Sequence, residues 1–462
     1  MRRLILSFTL SIPLVLALAM ASPSAPTTER HIRPASWNEV QVPEPVQGTW
    51  EGVWKKQGDS LKVRIEFGHQ SGGWVGSFGS EDLGVLDIQL HNIVVDQESV
   101  SYDAVGDFTT TRFKGVVAGD ALYGSLEELP NQPGASNTPV KGTFELRRSR
   151  FVGRPYDVLP VKFSNGAVQL AGNLLVPKGG GTHPAMILVA GSMAQPRGAM
   201  MFIADYLARK GIVALAYDKR GVGDSTGDWK DASNEDLGRD ASAGIDFLAS
   251  QPNIDVDHIG IYGHSQGGMI APFVAVTNPH VRFIISAGGY GAPQFEQDLA
   301  RVSRLLSKSG FSEPDQKQAL DVFTQFVQAA KTGNLLVRRA FLGSVKPYTG
   351  KEWFDWLSIP ADDNYWWKLY PKMADFNPIP YWAKVSVPIF LMRGEQDDMC
   401  PVHPGLDRIV QVLSETGHQN VTVKIFPNAD HSFRLIQTPS QVWPHIAPDF
   451  LDSLSKWVLA LR

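Results

Sequence analysis

The chain has 462 residues, one cysteine, and 43 Lys and Arg against 47 Asp and Glu, a formal net charge of −4. This length predicts two or three compact units, and a single cysteine excludes an intrachain disulfide. A slightly acidic balance, with no basic patch interleaved with aromatics, leaves no electrostatic footprint for nucleic acid.

Along the chain, Arg2 and Arg3 precede an apolar stretch, Leu4 to Ala19, that closes on Ala19-Met20-Ala21. This is the pattern of an export signal over residues 1–21. The stretch is short for a membrane span and contains Pro13, so cleavage is expected and no stable span after it. The expected location is exported, periplasmic or secreted, in a bacterial cell. Residues 22–45 are rich in Pro, Ser and Thr and read as a flexible lead-in.

Residues 46–150 read as a small all-β domain, a barrel or a sandwich. Leu61, Val63, Ile65 and Phe67 alternate with polar residues, the period of a half-buried strand. Short runs at Trp74 to Phe78, Val85 to Leu90 and Thr143 to Leu146 repeat the pattern between glycine-rich turns. Trp50, Trp54 and Trp74 are expected in the core, the alternative being a ligand platform.

From residue 151 the rhythm becomes that of an α/β domain running to 462. An opening strand or hairpin is expected at Val168 to Val176, and apolar strands at Ala185 to Ala190, Ile212 to Tyr217, Ile259 to Tyr262, Val281 to Ser286, Pro388 to Met392 and Val421 to Phe426. Amphipathic helices alternate with them, and Asp449 to Leu461 closes the chain as a helix. This alternation predicts a mainly parallel sheet covered on both faces. Residues 292–386 interrupt it as a helical cap insertion, with Leu299, Val302 and Leu306, then Leu320, Phe323 and Val327, at helical spacing. Its aromatics, Trp353, Trp356, Tyr365, Trp366, Trp367, Tyr370, Tyr381 and Trp382, either shape an apolar pocket or hold the insertion to the core.

The strongest chemical signal is Gly263-His264-Ser265-Gln266-Gly267-Gly268, directly after one expected strand and before the helix Met269 to Val276. A strand, a sharp turn and a helix with serine at the apex lift Ser265 above the sheet edge. Glycine is needed on both sides, where side chains would clash. Serine is a weak nucleophile until a base takes its proton. In this fold the chain order is nucleophile, acid, base. Glu395, Asp397 and Asp398 follow the strand Pro388 to Met392, and His431 follows the last strand. Asp430 adjoins His431 but is expected to point away from it; His403, His418 and His445 are the other histidines in this part of the chain.

These motifs resemble those of bacterial α/β-hydrolase esterases of the EstD type. Leu188 to Ser192 is similar to the oxyanion strand and loop, and Tyr217 to Ser225 to the D-x-R-G-x-G-x-S loop. The elbow, the G-E-x-D-x-x-x-P loop and Asp430-His431-Ser432-Phe433 follow in order. The β-rich segment before residue 150 is similar to the small domain that precedes some of these hydrolases. The resemblance implies an α/β-hydrolase fold with Ser265, Asp397 and His431 as catalytic residues, Asp397 taking the acid position over Asp398. It further implies an oxyanion hole made by the amide of Gln266 and that of Ser192 or Met193. The usual His-Gly of the oxyanion loop is Ala190-Gly191 here.

Asp218 and Arg220 are expected to be structural, and Cys400 a small buried residue rather than a nucleophile. No H-E-x-x-H or paired-cysteine pattern points to a metal, and Gly179 to Gly181 precede a strand rather than follow one, so no cofactor is expected. The expected activity is that of a serine carboxylesterase acting on small to medium acyl esters, the partner being the small-molecule ester itself. The alternatives are a serine peptidase and, outside enzymes, a ligand-binding protein on a hydrolase scaffold. Ester against amide turnover separates the first, and labelling of Ser265 the second.

Overall fold

The computed structural model describes residues 45–461, apart from 71, 107–108, 132–138, 150–152 and 437–441. The expected export signal (1–21) and the lead-in up to residue 44 lie outside the described residues. Among the described residues, no helix is long and apolar enough to cross a membrane. The chain divides into two units.

The first is a closed eight-stranded barrel of strands β1 (Gly48–Lys56), β2 (Asp59–Gln70), β3 (Gly73–Ser80), β4 (Val85–Asp96), β5 (Ser99–Val105), β6 (Thr109–Ala118), β7 (Ala121–Pro130) and β8 (Val140–Arg148). Each strand pairs with the next, and β8 closes antiparallel on β1, with Trp54 opposite Phe144. Closure removes the exposed edges that an open sheet of this size would carry. Alternation decides what fills the inside: along β6, Phe113 and Val117 are buried while Arg112, Lys114 and Val116 face out. Trp50 and Trp54 are core, not a platform. The Trp50 indole is fully buried and donates to the Val46 carbonyl at 2.8 Å. Trp54 sits against Phe78 and Phe113, with ring centroids 5.0 and 4.6 Å away. Trp74, the third, is only half-buried and lies against His69.

The second unit is built on an eight-stranded sheet: β9 (Tyr156–Asn165), β10 (Val168–Pro177), β11 (His183–Val189), β12 (Val213–Tyr217), β13 (Ile254–His264), β14 (Phe283–Ala287), β15 (Ile389–Gly394) and β16 (Val421–Phe426). Their spatial order is β16-β15-β14-β13-β11-β12-β10-β9. β9 and β10 form an antiparallel hairpin, β10 is antiparallel to β12, and the remaining neighbours are parallel. The central strands are buried on both faces, which is why they read as unbroken apolar runs. In β11, Ala185, Ile187 and Val189 enter one hydrophobic layer, and Met186 and Leu188 the other.

Helices α1 (Met201–Arg209), α2 (Asn234–Ala249), α3 (Gln266–Thr277), α4 (Gln294–Lys308), α5 (Glu313–Lys331), α6 (Leu335–Ser344), α7 (Trp366–Met373), α8 (Ile379–Trp382), α9 (Val402–Glu415) and α10 (Phe450–Ala460) complete the unit. α1 and α10 cover one face of the sheet; α2, α3 and α9 cover the other. Between β14 and β15, helices α4 to α8 form the insertion. Four of them build a core of their own from Val302, Leu306, Phe323, Phe326, Trp367 and Tyr370. Trp353, Trp367 and Tyr370 are buried in that core and Trp382 in the layer against the sheet, whereas Tyr365 and Trp366 stay partly exposed.

The sequence reading does not place β1, β5, β6 or β7 of the barrel, nor, outside the insertion, two elements of the second unit. β9 is an edge strand in which only Tyr156 and Phe163 are buried, so it carries little alternation. α9 contains Pro404 and Gly405 in its first turn, which hides a helical start. A truncation of Trp54 tests the core assignment in the barrel: Trp54→Ala is expected to destabilise this unit by about 3–5 kcal/mol, read as a lower denaturant midpoint. An unchanged midpoint contradicts it.

Candidate active site

Because β11 to β16 run parallel, the loops after them emerge at one edge of the sheet, where α/β folds bind ligands. Ser265 lies between the last residue of β13 and the first of α3, at φ 55° and ψ −116°. Such a turn requires near-contact of backbones. A Cβ on Gly263 would fall 2.2 Å from the Gly267 carbonyl oxygen, and one on Gly267 would fall 2.3 Å from that of Val189. The Ser265 amide donates to the Ala287 carbonyl at 2.8 Å, tying the turn to β14.

Three distant segments meet there. The Ser265 hydroxyl donates to His431 Nε2 at 2.8 Å, and His431 Nδ1 donates to Asp397 Oδ2 at 2.7 Å. Asp397 is 1 % exposed, and its other oxygen accepts the amides of Met399 at 2.9 Å and Cys400 at 2.7 Å. The carboxylate is therefore aimed by backbone donors, leaving Oδ2 for the imidazole. The acid loop and the histidine loop are joined directly: the Glu395 amide bonds the Phe426 carbonyl at 3.0 Å, and that of Gln396 the Ala429 carbonyl at 2.8 Å. The His431 ring rests over Gly288, where φ is +68° and a Cβ would stand 3.2 Å from Cε1.

The competing residues are engaged elsewhere. Asp398 accepts from Arg304 at 2.7 Å and from Lys308 at 2.8 Å, both on α4, and so anchors the insertion to the acid loop. Asp430 accepts the amides of Ser432 and Arg434. His403 pairs with Asp407, and His418 bonds the Val387 carbonyl. Asp218 and Arg220 serve the scaffold: Asp218 is held by the backbone and side chain of Arg197, and Arg220 makes a two-bond pair with Asp240 at 2.6 Å each. Cys400 is buried, and burial raises its thiol well above the ordinary range, so a thiolate is disfavoured. Among the described residues there is no cluster of His, Cys, Asp and Glu that could hold a metal.

Of the residues named for the oxyanion hole, Gln266 opens α3, where free amides and the helix dipole favour negative charge. Ser192 and Met193 lie on the loop after β11, and Met193 adopts a left-handed φ of 71°. A small cavity of about 10 Å³ next to Gln266 is lined by Ser192 and Met193 and by Trp366, Leu369 and Met373 of α7.

Four supporting residues were not singled out from sequence. His264 Nε2 donates to the His431 carbonyl at 3.1 Å, and the two rings lie 5.1 Å apart. Burial and the neighbouring His431 lower its pKa to about 4, so it stays a neutral strut. Arg393, 1 % exposed, donates to the carbonyls of Ser286, Met392 and Gly289 and locks β14 to β15 beneath the acid loop. Lys219 and Gln195 bond the carbonyls of the β11 loop, as described below. The placement of Lys219 between Asp218 and Arg220 was the one available signal.

The alpha/beta hydrolase family model matches residues 174–444, more than half of the sequence, and the chain belongs to that family. It is 21% identical over 302 residues to esterase EstD of Thermotoga maritima, covering 63% of this chain and 65% of that protein. It is 23% identical over 252 residues to thiohydrolase aneE of Aspergillus aculeatus, covering 52% of this chain and 77% of the relative. With PA2218 of Pseudomonas aeruginosa the identity is 27% over 193 residues, covering 38% of this chain and 52% of the relative. The chain thus spans about half the length of PA2218, just under two thirds of EstD and over three quarters of aneE. Among solved structures, Pyrococcus furiosus esterase Pf2001 aligns at 17% identity and TM-score 0.42, over 68% of this chain and 94% of that one.

Electrostatics make a testable statement. Burial works against charging His431, but the Asp397 carboxylate and its hydrogen bond outweigh burial, so the imidazole titrates above its ordinary 6.5. A base must be neutral to accept a proton, so with His431 in that role activity is expected to be low below that pKa and to rise as pH climbs through it. The ascending limb of kcat/KM is therefore expected to be centred above pH 6.5. Asp397→Asn is expected to move it down and to lower kcat by roughly 10⁴-fold. A limb that stays in place in Asp397→Asn contradicts the pairing.

Proposed function

We propose that this protein is a serine carboxylesterase that hydrolyses small to medium acyl esters through an acyl-enzyme. The observation that carries the reading is the hydrogen-bonded row Ser265–His431–Asp397 at the apex of a strand–turn–helix elbow.

Ser265 attacks the ester carbonyl while His431 Nε2 takes its proton. Asp397 keeps the proton of His431 on Nδ1 and stabilises the imidazolium. The tetrahedral oxyanion develops between the amide of Gln266 and that of Ser192 or Met193, donors already fixed before the reaction. His431 then protonates the leaving alcohol, and the acyl group stays on Ser265. Water attacks the acyl carbonyl while His431 takes its proton; the tetrahedral intermediate collapses, Ser265 leaves and regains that proton from His431, and the acid product departs. Preference for oxygen esters follows the relation to an esterase, EstD, and a thioester arm in the test follows the name of the thiohydrolase aneE.

The test is turnover of a panel of p-nitrophenyl esters, acyl thioesters and aminoacyl amides by the mature chain and by Ser265→Ala. Oxygen esters of short to medium acyl length are expected to turn over fastest. Ser265→Ala is expected to lower kcat by on the order of 10⁵-fold. Asp398→Asn is expected to keep most of the activity, since its partners are Arg304 and Lys308. Faster amide than ester turnover, or a crippled Asp398→Asn with an active Asp397→Asn, overturns the reading.

A further inference from the structure

Lys219 stands one residue past Asp218 at the end of β12, and its side chain is 7 % exposed overall. Among the described residues, no carboxylate forms an ion pair with it. Its ammonium instead donates to two neutral acceptors, the Gly191 carbonyl and the Gln266 Oε1 at 3.0 Å. Gln266 Nε2 in turn donates to Asn234 Oδ1 at 2.9 Å. A buried cation held only by neutral groups is costly, and such groups concentrate at functional sites.

The acceptors explain the position. In a trans peptide the carbonyl of one residue and the amide of the next point in opposite directions. A donor on the Gly191 carbonyl therefore turns the Ser192 amide away from Lys219. Gly191 itself borders the nucleophile, since a Cβ there would lie 3.2 Å from that of Ser265. The following peptide is held separately: Gln195 Nε2 donates to the Ser192 carbonyl at 2.7 Å, while the Lys219 amide bonds the Gln195 carbonyl at 3.0 Å. The second hold of Lys219, on the Gln266 side chain, fixes the residue that opens α3.

We infer that Lys219 is a positioning residue of the oxyanion site, bracing the Gly191–Ser192 peptide and Gln266 so that the amides of Ser192 and Gln266 converge on one point above Ser265. This rests on the serine-hydrolase reading. It also selects Ser192 over Met193 as the second donor. Burial lowers the Lys219 pKa to about 7, in keeping with an amine that acts through its N–H geometry rather than through a permanent ion pair. A donor set braced in advance has little reorganisation left to do when the oxyanion forms. Removing the brace should therefore weaken transition-state binding and leave ground-state binding alone.

The experiment compares wild type with Lys219→Met, rates being normalised to sites titrated by a fluorophosphonate so that unfolded protein does not count. Lys219→Met is expected to lower kcat about 10–100-fold, with KM within about twofold. A trifluoromethyl ketone, whose serine adduct carries an oxyanion, should lose affinity by the same factor. A Lys219→Met enzyme with kcat within threefold of wild type, or with the loss confined to KM, overturns the inference. If that variant does not fold, Gln266→Leu, which removes the side-chain acceptor, must show a several-fold loss confined to kcat or the inference fails. A wild-type chain that neither hydrolyses esters nor labels overturns the hydrolase reading itself, an outcome distinct from an active wild type with an indifferent Lys219.

Discussion

One hydrogen bond organises the second unit: the Ser265 hydroxyl donating to His431 Nε2 across 2.8 Å, between residues 166 apart in the chain. Few contacts are so demanding. It requires β13 and β16 to end at the same edge, the elbow to lift the hydroxyl, and the acid loop to present Oδ2 to the far side of the ring. The parallel run of strands supplies the first condition. Near-contact of backbones at Gly263 and Gly267 supplies the second. Backbone donors on Asp397 Oδ1 supply the third. Each rests on main-chain geometry, which tolerates little drift in a packed interior.

Around that row lies a ring of buried groups whose charges are managed differently. His264 is kept neutral and braces the His431 carbonyl, while Arg393 spends its donors on three carbonyls below the acid loop. Lys219 braces the opposite wall. The insertion is tied to the acid loop, where Arg304 and Lys308 of α4 hold Asp398 and Gln297 donates to the Met399 carbonyl at 2.9 Å. The same insertion lines the small cavity next to Gln266 with α7. The wall beside Gln266 and the anchor of the acid loop thus belong to one insertion.

Much of this was legible in the sequence because it is written in local patterns. The elbow motif names its own turn, and unbroken apolar runs name central parallel strands. Chain order then leaves His431 after the last strand and a short list of acids. Composition and period could not choose between Asp397 and Asp398; the choice came from a resemblance, and the coordinates show why the neighbours differ. One is 1 % exposed and aimed by amides, the other paired to α4. The illegible parts are those where tertiary contact sets the meaning. β9 is an edge strand with two buried residues, α9 begins across Pro404, and Lys219 looks like any loop lysine until its two acceptors are seen. Trp50 and Trp54, by contrast, were legible as core residues, and closure of the barrel puts them inside.

The central claim is that the hydroxyl at the elbow is a nucleophile activated by the histidine of the last loop. Its most direct measure is intact-mass and peptide mapping of the chain after exposure to a fluorophosphonate. The account predicts one adduct per chain, on the peptide bearing Ser265, and its disappearance in His431→Ala. Labelling at another serine, or equal labelling with His431 removed, would contradict it.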